Sequence, residues 1–542
     1  RIKSSNCRIL QLELFLFKKN LLNWKRVDVM KTLRAILFII VLMCSQVVLA
    51  APKGTLLYVP LDDRPVCLSY AVKTMEAAGW EVKTPPLEYI AGAERGGNPD
   101  ALFAWLMDNA DESLAMVVSS DALIYGGLVD SRTHFIPLDV LRARADRLVE
   151  LKKDFRNQLV YVFTTIMRSP KMSSAPVEPA YYKEWGKKIF RLGELEDKRE
   201  AREIGHREMR ELKKLRQNIP QEILADMYTR RENNIKATEL LLHGVESGDF
   251  DYLLVGRDDT AEFSQAHREA RDLEILVNEL PKERIRFFAG ADQLGLLLLN
   301  RASTKLQYEI PLVQVVYAPG KGGATVSAYE DNTVAQSARQ HIYAAGGVPI
   351  WRHKRADLVL AINTPKDGVT LEASSLENNY LVEPEVEKFT KLVEAVINNG
   401  KAVAVADVKY GNGADNALVS NLFANGLEYK LAAYGGWNTA GNTIGYALAQ
   451  GLLSKHFTDE SRRDLLAVRY LDDWAYQSNV RMDVYRNLIW PKRWKNSGFA
   501  DEQLTVVEES ITNSMRSVVE PMLGEVVDDY KFTLPWRRMF EV

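Results

Sequence analysis

Two pairs of adjacent aspartates follow short apolar runs, in Tyr58-Val59-Pro60-Leu61-Asp62-Asp63-Arg64-Pro65 and in Leu254-Val255-Gly256-Arg257-Asp258-Asp259-Thr260. Neighbouring carboxylates repel, so one is pushed to a higher pKa and can hold a proton while the other stays ionised. Hydrolysis of glycosides uses such a division of labour between two acids. Asp258, Asp259, Asp62 and Asp63 are therefore the candidate acid/base residues, with Arg64 placed to pair with one of them. Consecutive residues of a strand point to opposite faces, so Asp258 and Asp259 can share a site only if the strand has ended before them. The competing role for each acid is a helix cap or turn.

Other apolar runs also end in acids or amides, commonly beside glycine. Asp121 and Tyr125 lie in Ser119–Gly127, Asp292 follows Gly290-Ala291, and Asp407 closes another run. Asp415 and Asn416 follow Gly411-Asn412-Gly413-Ala414, and Trp437, Asn438 and Asn442 follow Gly435-Gly436. Acids gathered at one edge of a sheet cost electrostatic energy unless a ligand or cation uses them. Arg64, Asp121, Tyr125, Asp292, Asp407, Asp415, Asn416, Trp437, Asn438 and Asn442 are thus the expected substrate contacts. Tyr125 and Trp437 are the aromatic faces on which a sugar could stack.

Competing chemistries leave weaker marks. There is no His-Glu-x-x-His and no paired-cysteine motif, and the histidines are scattered, so no zinc site is expected. No cofactor is implied. A divalent cation on oxygen ligands, at Asp62, Asp63, Asp258, Asp259 or Asp407, is the remaining metal alternative. Gly-x-Ser-x-Gly is absent, and Gly320-Lys321-Gly322-Gly323 lacks the phosphate cradle's Gly-Lys-Ser/Thr. Cys67 has no histidine in its motif and reads as a core residue.

These residues need a scaffold. Runs at Thr55–Pro60, Ala115–Ser119, Leu159–Thr165, Tyr252–Gly256, Ile285–Ala289, Leu312–Tyr317, Leu358–Ile362, Ala402–Ala406 and Lys430–Tyr434 alternate with helical stretches. Several are apolar on both faces. The pattern predicts an α/β fold of parallel strands with crossover helices. Residues 51–303 form an N-terminal α/β domain, barrel-like or doubly wound, and 304–455 a second, smaller one. The charged segment 181–247 is expected to be a solvated helical hairpin inserted outside the sheet, and 456–542 a helical tail. Ligands of such folds bind beyond the carboxyl ends of the strands.

At the start, Met30, Lys31 and Arg34, the apolar run Ala35–Val48 and Val48-Leu49-Ala50 have the layout of a signal peptide over 30–50. The run falls short of the roughly 20 residues of a membrane span. Residues 1–29 read as an upstream segment outside the native protein. The expectation is an exported, periplasmic or extracellular protein beginning near Ala51. A formal charge of −2 argues against a nucleic-acid partner. With Cys7 and Cys44 both before the cleavage site, Cys67 is left unpaired, so the exported chain depends on its core rather than on a disulfide.

Val255–Asp259 looks like the Asp-Asp strand end of the hexosaminidases, and Tyr434-Gly435-Gly436-Trp437-Asn438 like a Trp-Asn turn in those barrels. More extensively, Leu57–Pro65, Gly256–Asp259, Asn412–Asn416, Tyr434–Asn442 and Leu471-Asp472-Asp473-Trp474-Ala475-Tyr476-Gln477 resemble, in order, the bacterial proteins grouped as domain of unknown function 4127. That resemblance implies no activity. The residues themselves lead to an exported hydrolase, glycoside-hydrolase-like, acting on an envelope or environmental glycan. The alternatives are a periplasmic binding protein for a sugar or other small molecule, and a metal-dependent hydrolase using the same carboxylates.

Overall fold

A computed structural model describes residues 52–542 except 172–176; the expected leader at 30–50 lies outside the described residues. Period-2 apolar runs put alternate side chains on opposite faces of the sheet. In β1 (Thr55–Val59), Leu56 and Tyr58 enter one apolar cluster while Leu57 and Val59 enter another. With β2 (Glu81–Lys83), β3 (Ala115–Ser119), β4 (Leu159–Ile166), β5 (Tyr252–Arg257) and β6 (Ile285–Ala289), it forms a parallel sheet of order β2-β1-β3-β4-β5-β6. The edges β2 and β6 do not meet, so this core is an open doubly wound sheet and not a barrel.

Further along the chain come β7 (Leu312–Tyr317), β8 (Val348–Ile350), β9 (Leu358–Asn363), β10 (Leu371–Glu372), β11 (Ala402–Asp407), β12 (Tyr410–Gly411) and β13 (Ala433–Gly435). They make a second parallel sheet, β13-β11-β9-β7-β8, and a short β10-β12 ladder. The strand expected at Lys430–Tyr434 is shorter and starts later. β2 and β8 have three residues each, too few to show an alternation.

One face of the first sheet packs on helices Pro99–Asn109, Leu138–Asp154 and Gln221–Glu246. Its other face shares a single cluster with Leu360, Ile362, Ala404 and Ala406 of the second sheet, filled by helices Leu294–Leu306 and Ala440–Leu453. The far face of the second sheet, with Val359, Ala361, Val403 and Val405, is covered by Tyr470, Trp474, Val507 and Ile511 of the tail. The expected boundary near residue 303 therefore falls inside a helix at the centre of a shared core.

The segment 181–247 is helical, as Tyr182–Glu200, His206–Asn218 and Gln221–Glu246. It is not a solvated hairpin throughout. Ala237, Leu241, Leu242 and Val245 bury against the sheet, making the third helix the β4-to-β5 crossover. The tail runs through Asp459–Arg469, wide π-helical turns at Tyr470–Val480 and Tyr485–Ile489, and the helix Asp501–Leu523. Among the described residues no helix is long and apolar enough to cross a membrane.

Leu360 is fully buried between the sheets. Leu360→Ala should cost about 2–5 kcal/mol through lost contacts and the cavity left behind. Because the sheets share that core, chemical denaturation should show one transition at a lower midpoint. Two separate transitions, only one of them shifted, would count against a common core.

Candidate active site at the carboxyl ends of the first sheet

Strand direction decides where the polar residues collect. Asp62 and Arg64 follow β1, Arg168 follows β4, Asp258 and Asp259 follow β5, and Asp292 follows β6; all line one cavity of about 490 Å³. Arg132, at the end of the helix Leu128–Thr133, joins them. Asn412 enters from the end of β12 and Asn438 from beyond β13, and Arg481, Tyr485, Trp536, Arg538 and Phe540 from the tail.

Two ion-pair groups organise the strand-end wall. In the first, Arg64 Nε donates to Asp62 Oδ1 at 2.9 Å and Oδ2 at 3.0 Å, while its Nη2 donates to Asp292 Oδ1 at 2.5 Å. The Arg64 backbone N–H also donates to Asp62 Oδ1, at 3.2 Å, an Asx-type turn that sets the loop. Asn438 Nδ2 donates to Asp292 Oδ2 at 3.4 Å. The Asp292 backbone N–H donates to Asn442 Oδ1 at 3.1 Å, so Asn442 positions the Asp292 loop. In the second group, Arg132 pairs with Asp258, Arg168 Nη1 lies 3.0 Å from Asp259 Oδ2, and Glu178 accepts from Arg168 Nε. Acids and guanidiniums thus alternate, which is what allows so many charges to leave water together.

β5 ends at Arg257, and Asp259 turns away from it at φ 33°. The alternation of strand side chains has therefore stopped, and Asp258 and Asp259 both open onto the cavity. Three more cavity residues hold left-handed backbone: Tyr329 at 66°, Asn412 at 60° and Asn438 at 62°. Asparagine tolerates this region better than other non-glycine residues. For Asp259 and Tyr329 it is strain of the kind that gathers at functional sites.

Burial raises the pKa of Asp259; Arg168 opposes the rise and the neighbouring Asp258 adds to it. Burial likewise raises Asp292, against the pull of Arg64. Asp63 points away from the cavity. Its Oδ1 accepts from Trp536 Nε1 at 2.7 Å, and Arg95 lies 3.6 Å from Oδ2, so it anchors the tail. Cys67 is buried, with its thiol pushed well up by that burial, as suits a core residue.

Several expected contacts lie elsewhere. Asp121 is buried below the strand ends, where it accepts from the Thr165 N–H and hydroxyl at 2.9 Å each. Tyr125 is buried with its ring stacked on His134, 5.1 Å between centroids. Trp437 is 1% exposed, packed near Tyr446 and Phe540, and offers no face to a sugar. Asp407, Asp415 and Asn416 form a buried network at the end of β11. Asp407 Oδ2 accepts from Asp415 N at 2.7 Å and the Tyr434 hydroxyl at 2.9 Å. Asp415 caps the helix Asn416–Ala424 and pairs with Lys409, and Asn416 Oδ1 accepts from Trp474 Nε1 at 2.9 Å.

The aromatic faces of the cavity come instead from Trp536, Tyr485 and Phe540. Their signal in the sequence is the aromatic and basic run Trp536-Arg537-Arg538-Met539-Phe540, which carries no information on where the tail folds back. Arg132 sits on a short helix and has no local signal at all.

Asp62, Asp258 and Asp259 are each engaged by arginine, and among the described residues no three His, Cys, Asp or Glu are grouped to hold a metal.

Fold and site together define a doubly wound α/β protein with a strand-end cavity of paired acids and arginines. The chain belongs to the DUF4127 family of proteins of unknown function, whose model matches residues 56–542. No curated protein and no solved structure matches it.

Burial raises Asp121 to about 7. Between its unfolded pKa near 3.9 and that value, the folded state binds the extra proton, so this residue's contribution to stability falls as pH rises. Asp121→Asn can keep both partners, with the amide oxygen accepting from Thr165 N–H and the NH₂ donating to its hydroxyl. Denaturation of this variant from pH 4 to 7 should show a flatter loss of stability than the parent, by up to about 1.4 kcal/mol per pH unit. Parallel curves would mean that Asp121 does not titrate in that window.

Proposed function

We propose that the protein is an exported hydrolase of glycoside-hydrolase type, with Asp259 as proton donor and Asp258 as its carboxylate partner. The observation carrying this reading is that two adjacent acids open into one cavity with unequal surroundings. Both face an arginine, Asp258 facing Arg132 and Asp259 facing Arg168, but Asp259 alone is held on strained backbone and has a raised pKa. A half-buried acid of raised pKa is suited to protonating a leaving oxygen. Asp258 would hold the attacking group, a water or the substrate's own acetamido oxygen, against the anomeric carbon. Arg64 and Arg132 would hold Asp62, Asp292 and Asp258 in place through their ion pairs, and Trp536, Tyr485 and Phe540 offer apolar faces to a sugar ring. The cavity's volume suits a small glycan end rather than a long chain. The signal-peptide pattern at 30–50 supports an envelope or environmental substrate.

A panel of chromogenic amino-sugar and plain glycosides, assayed with and without chelator, tests this reading. Turnover should survive chelation. Asp259→Asn and Asp258→Asn should each lower kcat by about 10²–10⁴-fold with little change in KM, the usual worth of a general acid or base. With Asp259 as the acid, kcat/KM should fall as pH rises through its raised pKa. Full activity in both Asn variants would end the acid/base assignment. Tight ligand binding with no turnover of any glycoside would favour a binding protein.

A further inference from the structure

We propose that the ligand of this cavity carries an anionic group, and that Arg481 is its receptor, a reading that rests on the cavity being the substrate site. A guanidinium keeps its charge at any physiological pH, and burying it is costly unless an anion accompanies it. Four of the cavity's arginines have such company: Arg64 with Asp62 and Asp292, Arg132 with Asp258, Arg168 with Asp259 and Glu178, and Arg538 with Glu541. Arg481 differs. Its Nη1 donates to the neutral Gln477 Oε1 at 2.7 Å, and its guanidinium carbon lies 5.2 Å from the centre of the Phe540 ring. Glu372, Asp472 and Glu541 act on it through space, but among the described residues no carboxylate is in ion-pair contact with it. Arg481 is half-buried, and its partial removal from water, with no carboxylate in contact, lowers its pKa.

The geometry suits an oxyanion. With Nη1 held by Gln477, Nε and Nη2 have no partner among the described residues. Those two N–H groups form the edge of the fork that matches a carboxylate or phosphate with two parallel hydrogen bonds. Arg481 stands where the π-helical stretch Tyr470–Val480 passes into the turn Arg481–Val484, and wide turns of this kind recur at functional sites. The cavity therefore has a strand-end wall whose acids are each paired with an arginine, and on the tail wall an arginine with no carboxylate in contact. Its fitting ligand has neutral hydroxyl groups for the first and an acidic group for the second. An acidic sugar, a uronate or a sugar phosphate, has that form.

Calorimetric titration of the whole chain with methyl β-glucuronide, glucose 6-phosphate and the neutral methyl β-glucoside tests the proposal. At least one of the two acidic sugars should bind more tightly than the neutral one by about tenfold or more, the scale of a charge-assisted hydrogen bond, and which one it is tells carboxylate from phosphate. Arg481→Gln should abolish the preference and leave the neutral sugar's affinity unchanged, while Arg481→Lys should keep part of it. The titrations read binding without requiring turnover, which separates recognition from hydrolysis. The proposal fails if neither acidic sugar outbinds the glucoside, or if the preference survives in Arg481→Gln.

Discussion

The guanidinium of Arg64 bridges Asp62, two residues away, and Asp292, at the other end of the first sheet. This bridge is the contact on which the rest of the site depends. β1 is second in the strand order and β6 is last, so a single cation ties together loops that the backbone ladder does not connect. None of the three groups could remain charged and buried alone. Trp536 extends the same arrangement into the tail: its ring lies 5.5 Å from the Arg64 guanidinium carbon, and its indole N–H donates to Asp63. One adjacent Asp-Asp-Arg run thereby holds the strand-end wall, through Asp62 and Arg64, and the returning tail, through Asp63.

Electrostatics and strain then act together at the end of β5. The acids there would repel one another without Arg132 and Arg168, and Asp259 holds a backbone conformation that only its surroundings make tenable. Such a site is expensive in folding free energy, and the core beneath it is correspondingly large. The central cluster spans both sheets, and the helix Ala440–Leu453 is buried on every side. A rigid, shared core is what allows four strand ends and a distant tail to keep side chains in fixed register.

Much of the scaffold was legible in the residues because buried parallel strands are apolar on both faces, a pattern visible in single runs such as Ala115–Ser119. Strand-end logic also located Asp62, Arg64, Asp258, Asp259, Asp292 and Asn438. It overreached at the second sheet, where Asp407, Asp415 and Asn416 follow strands in the same way but serve each other as a buried cap network. Aromatic assignments were the least legible. Trp437 and Tyr125 follow strands yet point into packing, while Trp536 and Phe540, hundreds of residues from β1, face the cavity. Sequence periodicity reports which side of an element is apolar; it does not report which distant segment covers that side. The same limit hid Arg132 and Arg481, whose meaning comes wholly from the groups that stand, or do not stand, beside them.

The central claim is that pairing between buried arginines and carboxylates holds the strand-end wall of the cavity together. A double-mutant cycle on Arg64 and Asp292, read by denaturation at neutral pH, tests it most directly. Arg64→Gln alone should cost roughly 3–5 kcal/mol, since it leaves uncompensated buried acids. Adding Asp292→Asn should restore a good part of that loss, with a coupling of at least about 1.5 kcal/mol between the two sites. Strict additivity, with a coupling below about 0.5 kcal/mol, would contradict the account.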